Sequence, residues 1–88
     1  MTCRAKVRVA NAKGLHARPC HAFVSRALEF QADVTVACQG TVVNGKSILE
    51  LMTLGAACEQ ELVLSAEGPD AEAALAALVD LVREGFYE

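Results

Sequence analysis

The 88-residue sequence predicts one α+β domain, a four-stranded antiparallel sheet covered on one face by three helices. Segments with apolar residues at every second position are interspersed with segments whose apolar residues recur at helical spacing, in the order β-α-β-β-α-β-α. Each strand has one polar face, which indicates a sheet covered on one side only. Neither linkers nor internal repeats divide the chain, so we expect residues 1–88 to form a single two-layer, open-faced sandwich.

The first half of the chain is predicted to hold three strands and one helix. Arg4 to Ala10 alternates charged and apolar residues, which is typical of a strand with one wet face. Asp33 to Cys38 and Thr41 to Val43 are two further strands joined by a Gln39-Gly40 turn. Between the first strand and the second, helical spacing predicts a helix whose apolar stripe is formed by Cys20, Phe23, Val24, Ala27 and Leu28.

The second half is predicted to hold two helices and the fourth strand. Ser47 to Leu54 is a short apolar helix that stops at Gly55, and Glu61 to Glu67 is an alternating strand. Gly68-Pro69-Asp70 opens the last helix, which Gly85 ends. The buried stripe of that helix is predicted at Ala71, Ala74, Leu75, Leu78 and Val82.

The net charge of −3 hides a strong asymmetry between the two halves. Residues 1–47 hold seven bases and two acids, whereas residues 48–88 hold one base, Arg83, and nine acids. An acidic chain without aromatic residues among its bases is not expected to bind nucleic acid, although the basic half would suit a phosphate or an acidic partner. Because no apolar run approaches ~20 residues and no signal peptide opens the chain, we expect a soluble cytoplasmic protein that does not enter the membrane.

The four cysteines are widely spaced and form no C-x-x-C pair, so neither a zinc site nor disulfides are expected. His21 completes the pattern H-x-x-x-C-H with His16 and Cys20, but a fourth ligand is not apparent. We therefore interpret His21 as a solvated helix residue and predict neither a metal nor another cofactor.

The stretch NAKGLHARPCHAF, residues 11–23, is the strongest candidate for a functional site. Gly14 permits a tight turn after the first strand, and Pro19 fits only the first turn of a helix. The helix is therefore expected to begin at about residues 16–18, with His16 at or next to its N-cap.

A helix start at this point would provide an anion cradle beside the His16 imidazole. The guanidinium of Arg18 and the positive end of the helix dipole would assist the cradle. A nucleophilic ring in that position could accept a phosphoryl group, but an exposed capping histidine would show the same pattern. The cradle is predicted from the first-turn backbone N–H groups of Ala17, Arg18 and Cys20.

GLHARP resembles the active-site motif of the HPr family, the histidine-containing phosphocarriers of the phosphoenolpyruvate-dependent sugar phosphotransferase system. NGKSILELMTLGA resembles the family's second signature, around a regulatory serine, and the resemblance covers the whole chain. It implies that the His16 nitrogen nearer Cβ takes a phosphoryl group from phospho-enzyme I and passes it to the A domain of a sugar permease. Arg18 would contact that group. Two positions depart from the family pattern: Cys20 replaces the usual alanine, and Glu59 stands where a glycine is frequent.

The residues SILE predict a capping box, in which Ser47 caps the helix and Glu50 accepts from the backbone N–H of Ser47. The resemblance adds a regulatory interpretation. The matching serine in the Gram-positive branch of the family is phosphorylated by an ATP-dependent kinase, so Ser47 is a candidate for the same modification.

The helix after Ser47 is more apolar than one core contact requires. Its side chains could all be core, or some could form an exposed docking patch. The resemblance implies a patch formed by Ile48, Leu49 and Met52, with Arg18 and Lys46 as its charged rim.

The sequence is compatible with three functions. The first is a stoichiometric, monomeric phosphoryl carrier without turnover of its own, with enzyme I, permease A domains and a serine kinase or phosphorylase as partners. The second is a regulatory phosphorelay or binding module that acts mainly through Ser47-dependent docking. The third is a thiol or metal protein built on Cys20, His16 and His21.

Overall fold

The computed structural model describes residues 1–87. Within that range, four strands form one sheet in the order β1-β4-β2-β3, with every neighbouring pair antiparallel. The predicted α+β sandwich and its element order are confirmed. The elements are β1 (Thr2–Arg8), α1 (Ala17–Ala27), β2 (Asp33–Cys38), β3 (Thr41–Asn44), α2 (Ile48–Thr53), β4 (Glu61–Glu67), α3 (Ala71–Arg83) and a 3-10 turn (Gly85–Tyr87).

The core lies between the helices and the apolar face of the sheet. Leu64 of β4 pairs with Ala5 of β1 on one side and with Val36 of β2 on the other, and its side chain is fully buried. Because side chains alternate along a strand, this register places the apolar residues of three strands on one face. Helices α1 and α3 close the core with Phe23, Val24, Leu78 and Val82.

The structure corrects the predicted bounds of β1 and the predicted end of the core stripe of α1. Strand β1 begins at Thr2 and ends at Arg8 rather than spanning Arg4 to Ala10, although buried Val9 still exchanges backbone hydrogen bonds with Glu59 and Gln60. Leu28 does not join the core stripe of α1, because the helix ends at Ala27 and the Leu28 side chain is 62% exposed. At 100° per residue, position 28 lies about 90° around the helix from the centre of the stripe.

The turns and the last helix agree with prediction in most details. Gln39 and Gly40 both have positive φ, 49° and 86°, which matches the type I′ turn favoured in two-residue hairpins. Leu75 of α3 is half-buried and packs against the core edge, while the rest of its predicted stripe is buried. The turn formed by Gly85–Tyr87 follows α3 and was not predicted. Across residues 1–87, the helices lack the length and apolar character that a bilayer-spanning segment needs.

Candidate functional site

His16 is the N-cap residue of α1. Its backbone is extended, with φ −112° and ψ −169°, and its carbonyl accepts the first helical hydrogen bond from Cys20 at 3.1 Å. Pro19 lies in the first turn, where the missing N–H removes no helical bond. The helix therefore begins where the sequence predicted, and the half-buried imidazole lies at its N-terminal end.

The loop before His16 is held rigidly from two directions. Gly14 has φ +69°, its N–H donates to the Asn11 carbonyl at 3.1 Å, and the Asn11 side-chain amide donates back to the Gly14 carbonyl at 2.7 Å. Leu15 donates its N–H to the carbonyl of Ala56, in the segment after α2, at 2.8 Å. These bonds place the turn before α1 against the chain that follows α2, so the two sequence motifs adjoin in space.

The predicted anion cradle is corrected at Cys20. Its N–H is already bonded to the His16 carbonyl, since residue 20 is the fourth residue after the N-cap. The N–H groups of Ala17 and Arg18 belong to the first turn, where the helix offers them no carbonyl. The candidate cradle is therefore reduced to these two groups, with the exposed Arg18 side chain beside them.

The Cys20 thiol is part of the core. The side chain is fully buried, and this burial raises its pKa from 9.0 to about 11. A protonated, enclosed thiol is a poor nucleophile and a poor metal ligand. The buried, protonated state of the Cys20 thiol argues against a thiol function at this position.

His21, the next residue of the helix, is exposed. Among residues 1–87, no group of three or more His, Cys, Asp or Glu side chains is arranged to hold a metal ion.

An open cleft of about 910 Å³ lies beside His16. The loop and α1 contribute Lys13 and Arg18 to its walls, and the end of α3 contributes Arg83 and Glu84. Sequence reasoning missed Arg83 as a member of this site, because α3 is distant in the chain. The one available signal was that Arg83 is the lone base of the acidic half.

The second motif forms a helix cap that differs from the predicted capping box. Ser47 is the N-cap of α2, and its hydroxyl accepts the N–H of Glu50 at 3.2 Å, as predicted. The Glu50 carboxylate, however, accepts from the N–H of Asn44 at 3.0 Å rather than from that of Ser47. The Ser47 N–H already donates to the Asn44 carbonyl at 3.2 Å, which explains the difference.

The apolar residues of α2 divide between the core and the surface. Leu51 is buried, whereas Leu49 is 80% exposed and Met52 is 43% exposed. Ile48 is half-buried and packs against the core.

Lys46 is half-buried, and its ammonium group donates a hydrogen bond to the carbonyl of Phe30 at 2.8 Å. This bond links the residues before α2 to the loop after α1.

A family model described as the PTS HPr component phosphorylation site matches residues 3–84. The chain belongs to the HPr family. This HPr-family chain is 44% identical over 84 residues to the phosphocarrier protein HPr of Streptomyces coelicolor, covering 94% of this chain and 90% of that protein. The crystal structure of HPr-C-His from Thermoanaerobacter tengcongensis has a TM-score of 0.93 and 41% identity, with 98% and 97% of the two chains covered.

A longer relative is the multiphosphoryl transfer protein of Vibrio cholerae, 41% identical over 87 residues. The match covers 96% of the present HPr-family chain but only 22% of that protein. The shared segment is therefore one HPr-like part of a larger polypeptide.

The two departures from the HPr family pattern have different structural consequences. Cys20 fills a buried position in α1 and is part of the hydrophobic core. Glu59 adopts a left-handed conformation with φ +74°, which a glycine would adopt more readily. The turn is nevertheless kept, because the Glu59 N–H donates to Val9 at 2.8 Å and its carbonyl accepts from the Arg8 guanidinium at 3.0 Å.

Proposed function

We propose that this HPr-family chain is a cytoplasmic, stoichiometric phosphoryl carrier with His16 as the acceptor. The donor is phospho-enzyme I, and the recipients are the A domains of sugar permeases. The observation that carries the proposal is the position of His16 at the N-terminus of α1, beside Arg18 and a cleft whose lining includes Lys13 and Arg83. The family model, named for a phosphorylation site, and the Vibrio relative, named for phosphoryl transfer, support the same chemistry.

The transfer forms one bond to phosphorus and breaks another. Nδ1 of His16 attacks the phosphorus of phospho-enzyme I, the bond between phosphorus and the donor atom breaks, and the electron pair of that bond stays on the donor atom. Phosphoryl transfer depends mainly on positioning and charge stabilisation. We propose that residues of the chain and of its donor supply both, without a cofactor and without turnover of the chain's own. The first-turn N–H groups and the Arg18 guanidinium supply donors for the phosphoryl oxygens.

Intact mass after incubation with phosphoenolpyruvate and enzyme I tests the acceptor. We expect the parent chain to gain one acid-labile phosphoryl group and His16→Ala to gain none. His21→Ala is the matched control, because His21 is an exposed histidine on the same helix and should leave the gain unchanged. A His16→Ala protein that is still phosphorylated would overturn the assignment.

A second comparison tests Arg18. Arg18→Gln should slow transfer at least tenfold, since charge-assisted contacts to a phosphoryl group are worth roughly 1.5–3 kcal/mol. Arg26→Gln is the control on the same helix, because the Arg26 guanidinium is paired with Glu29 at 2.6 Å. Equal rates for the two variants would exclude Arg18 from the site.

A specific observation also favours regulation at Ser47. The serine caps α2 directly before the exposed Leu49 and Met52, so a phosphate on its hydroxyl would add charge at the edge of an apolar surface. We propose that this surface docks the partners, with Arg18 at its rim, half-buried Ile48 at its base and Lys46 as a structural support. A serine kinase acting on Ser47 would then control docking.

A further inference from the structure

We propose that Arg83 is a second guanidinium of the phosphoryl site, acting from the end of α3 on the phosphoryl group carried by His16. This inference rests on the proposed function and adds a residue to it. The transfer itself is unchanged: the bond between phosphorus and the donor atom breaks, and phosphorus bonds to Nδ1 of His16. The role of Arg83 is to stabilise the negative charge of the phosphoryl group once it is bound to His16.

The first observation is the shared cleft. His16, Lys13 and Arg18 line this cleft, and so do Arg83 and Glu84 from the end of α3. A phosphoryl group on His16 adds close to two negative charges to this cleft. Arginine residues from two separate elements, Arg18 of α1 and Arg83 of α3, therefore line the space that the new charge enters.

The second observation concerns the two helix ends that meet there. Helix α1 brings its N-terminal end, which favours an anion, while α3 brings its C-terminal end, which carries a partial negative charge. Glu84 adds a carboxylate on the same side. Without a cation, the α3 wall would repel the phosphoryl group, and Arg83 is the residue of α3 that offsets this repulsion.

The third observation is the surroundings of Arg83. Its side chain also borders a shallow depression with Lys6, Arg8 and Glu61, and another with Glu72 and Asp80. Among the residues that the structure describes, no carboxylate lies within ion-pair distance of the Arg83 guanidinium. No ion pair with a described carboxylate therefore holds the exposed Arg83 side chain, and its guanidinium is available to an anion in the cleft.

A purely structural role for Arg83 makes a different prediction. A cation in the last turn of a helix stabilises that helix, so Arg83→Gln should lower the melting temperature in either case. Stabilising α3 alone would not change the equilibrium of phosphoryl transfer in the folded protein. The transfer equilibrium therefore separates the two roles.

The experiment measures the equilibrium constant for transfer from phospho-enzyme I to the parent, Arg83→Gln, Arg83→Lys and Arg4→Gln. Arg4 is the control: its loss changes the net charge equally, but it lies on β1 beside Ser65, outside the His16 cleft. We expect Arg83→Gln to lower the constant roughly twofold to tenfold, as for a partly exposed charge pair with a dianion. Arg83→Lys should keep most of the constant, and added salt should narrow the difference.

The outcomes distinguish the inference from the function beneath it. If the parent is phosphorylated and Arg83→Gln matches either the parent or Arg4→Gln, the role of Arg83 is wrong and the carrier function stands. If the parent accepts no phosphoryl group, the proposed function fails, and the inference fails with it.

Discussion

The backbone of Gly14 lies directly against the carbonyl of Ala56. A β-carbon at Gly14 would collide with that carbonyl oxygen and would come within 2.9 Å of the Ala57 Cα. The same carbonyl accepts the N–H of Leu15 at 2.8 Å. Glycine is therefore required here by close approach as well as by φ +69°, and the contact fixes the turn that presents His16.

Gly14→Ala should consequently destabilise the fold by about 2–5 kcal/mol, combining left-handed strain with overpacking. Gly55→Ala is the matched control, because Gly55 has a similar φ of +59° but open space around its missing β-carbon. That variant should lose only about 1–2 kcal/mol. The free energy of unfolding in urea measures both, and equal losses would show that the Ala56 contact is unimportant.

Glu59→Gly should stabilise the chain by up to about 1 kcal/mol. Relief of the left-handed strain at φ +74° exceeds the extra unfolded-state entropy that glycine brings. Glu59→Ala removes the same side chain while keeping the strain, so it should unfold at nearly the parent urea midpoint. A stability gain of equal size in the alanine variant would assign the effect to the carboxylate instead.

Asp70 links the loop after α1 to the start of α3. Its carboxylate accepts the N–H of Gln31 and that of Ala32, each at 2.8 Å. The bond from Gln31 is the main cause that lowers the pKa of Asp70 below 3.8, and the charge of Lys46 contributes in the same direction. A carboxyl with a lowered folded-state pKa stabilises the fold above its unfolded pKa and loses that contribution as pH falls.

Asp70→Asn should therefore be less stable than the parent at pH 7, with a constant difference down to about pH 5. The difference should shrink as pH falls below 3.8, when the parent carboxyl itself becomes protonated in the unfolded and then the folded state. Urea unfolding of both proteins across this range is the measurement. A difference that stays constant to the lowest pH would contradict the link between charge and stability.

Local patterns predicted the fold better than they predicted the contacts. The bounds of β2 and β4 match their predicted residues because each alternating run ends at turn-forming residues. Position 16 could be placed because Gly14 permits the tight turn before it and Pro19 fits only the first turn of the helix after it. The capping box failed at Glu50 because Asn44, outside the four-residue motif, offers a competing N–H.

The membership of Arg83 in the cleft depends on how α3 packs across the sheet. Residues of α3 contact β1 and α1, and the 3-10 turn that follows it returns toward α1. Such a placement follows from long-range packing, for which no short motif exists. Cys20 was misassigned to the cradle for a simpler reason, since its N–H becomes bonded once the helix starts at Ala17.

The last prediction concerns Ser47→Asp as a mimic of phosphorylated Ser47. Aspartate can accept the N–H of Glu50 as the serine hydroxyl does at 3.2 Å, and its charge suits the positive end of α2. The Glu50 carboxylate is close by but is bonded to Asn44, so the stability should stay within about 1 kcal/mol of the parent. The new charge would lie beside the exposed Leu49 and Met52.

Phosphorylation of His16 by enzyme I should then be slower at low salt, if an acidic partner surface docks over Leu49 and Met52, because like charges repel on approach. The deficit should shrink as ionic strength rises, since the Debye length falls from about 30 Å at 0.01 M to about 8 Å at 0.15 M.

Ala73→Asp is the control, because it adds the same charge near the start of α3, at the opposite end of that helix from Arg83 and the His16 cleft. Initial rates for the three proteins at low and high salt are the measurement. Equal slowing by Ser47→Asp and Ala73→Asp would assign the effect to net charge, and equal rates for Ser47→Asp and the parent would leave Ser47 as a helix cap alone.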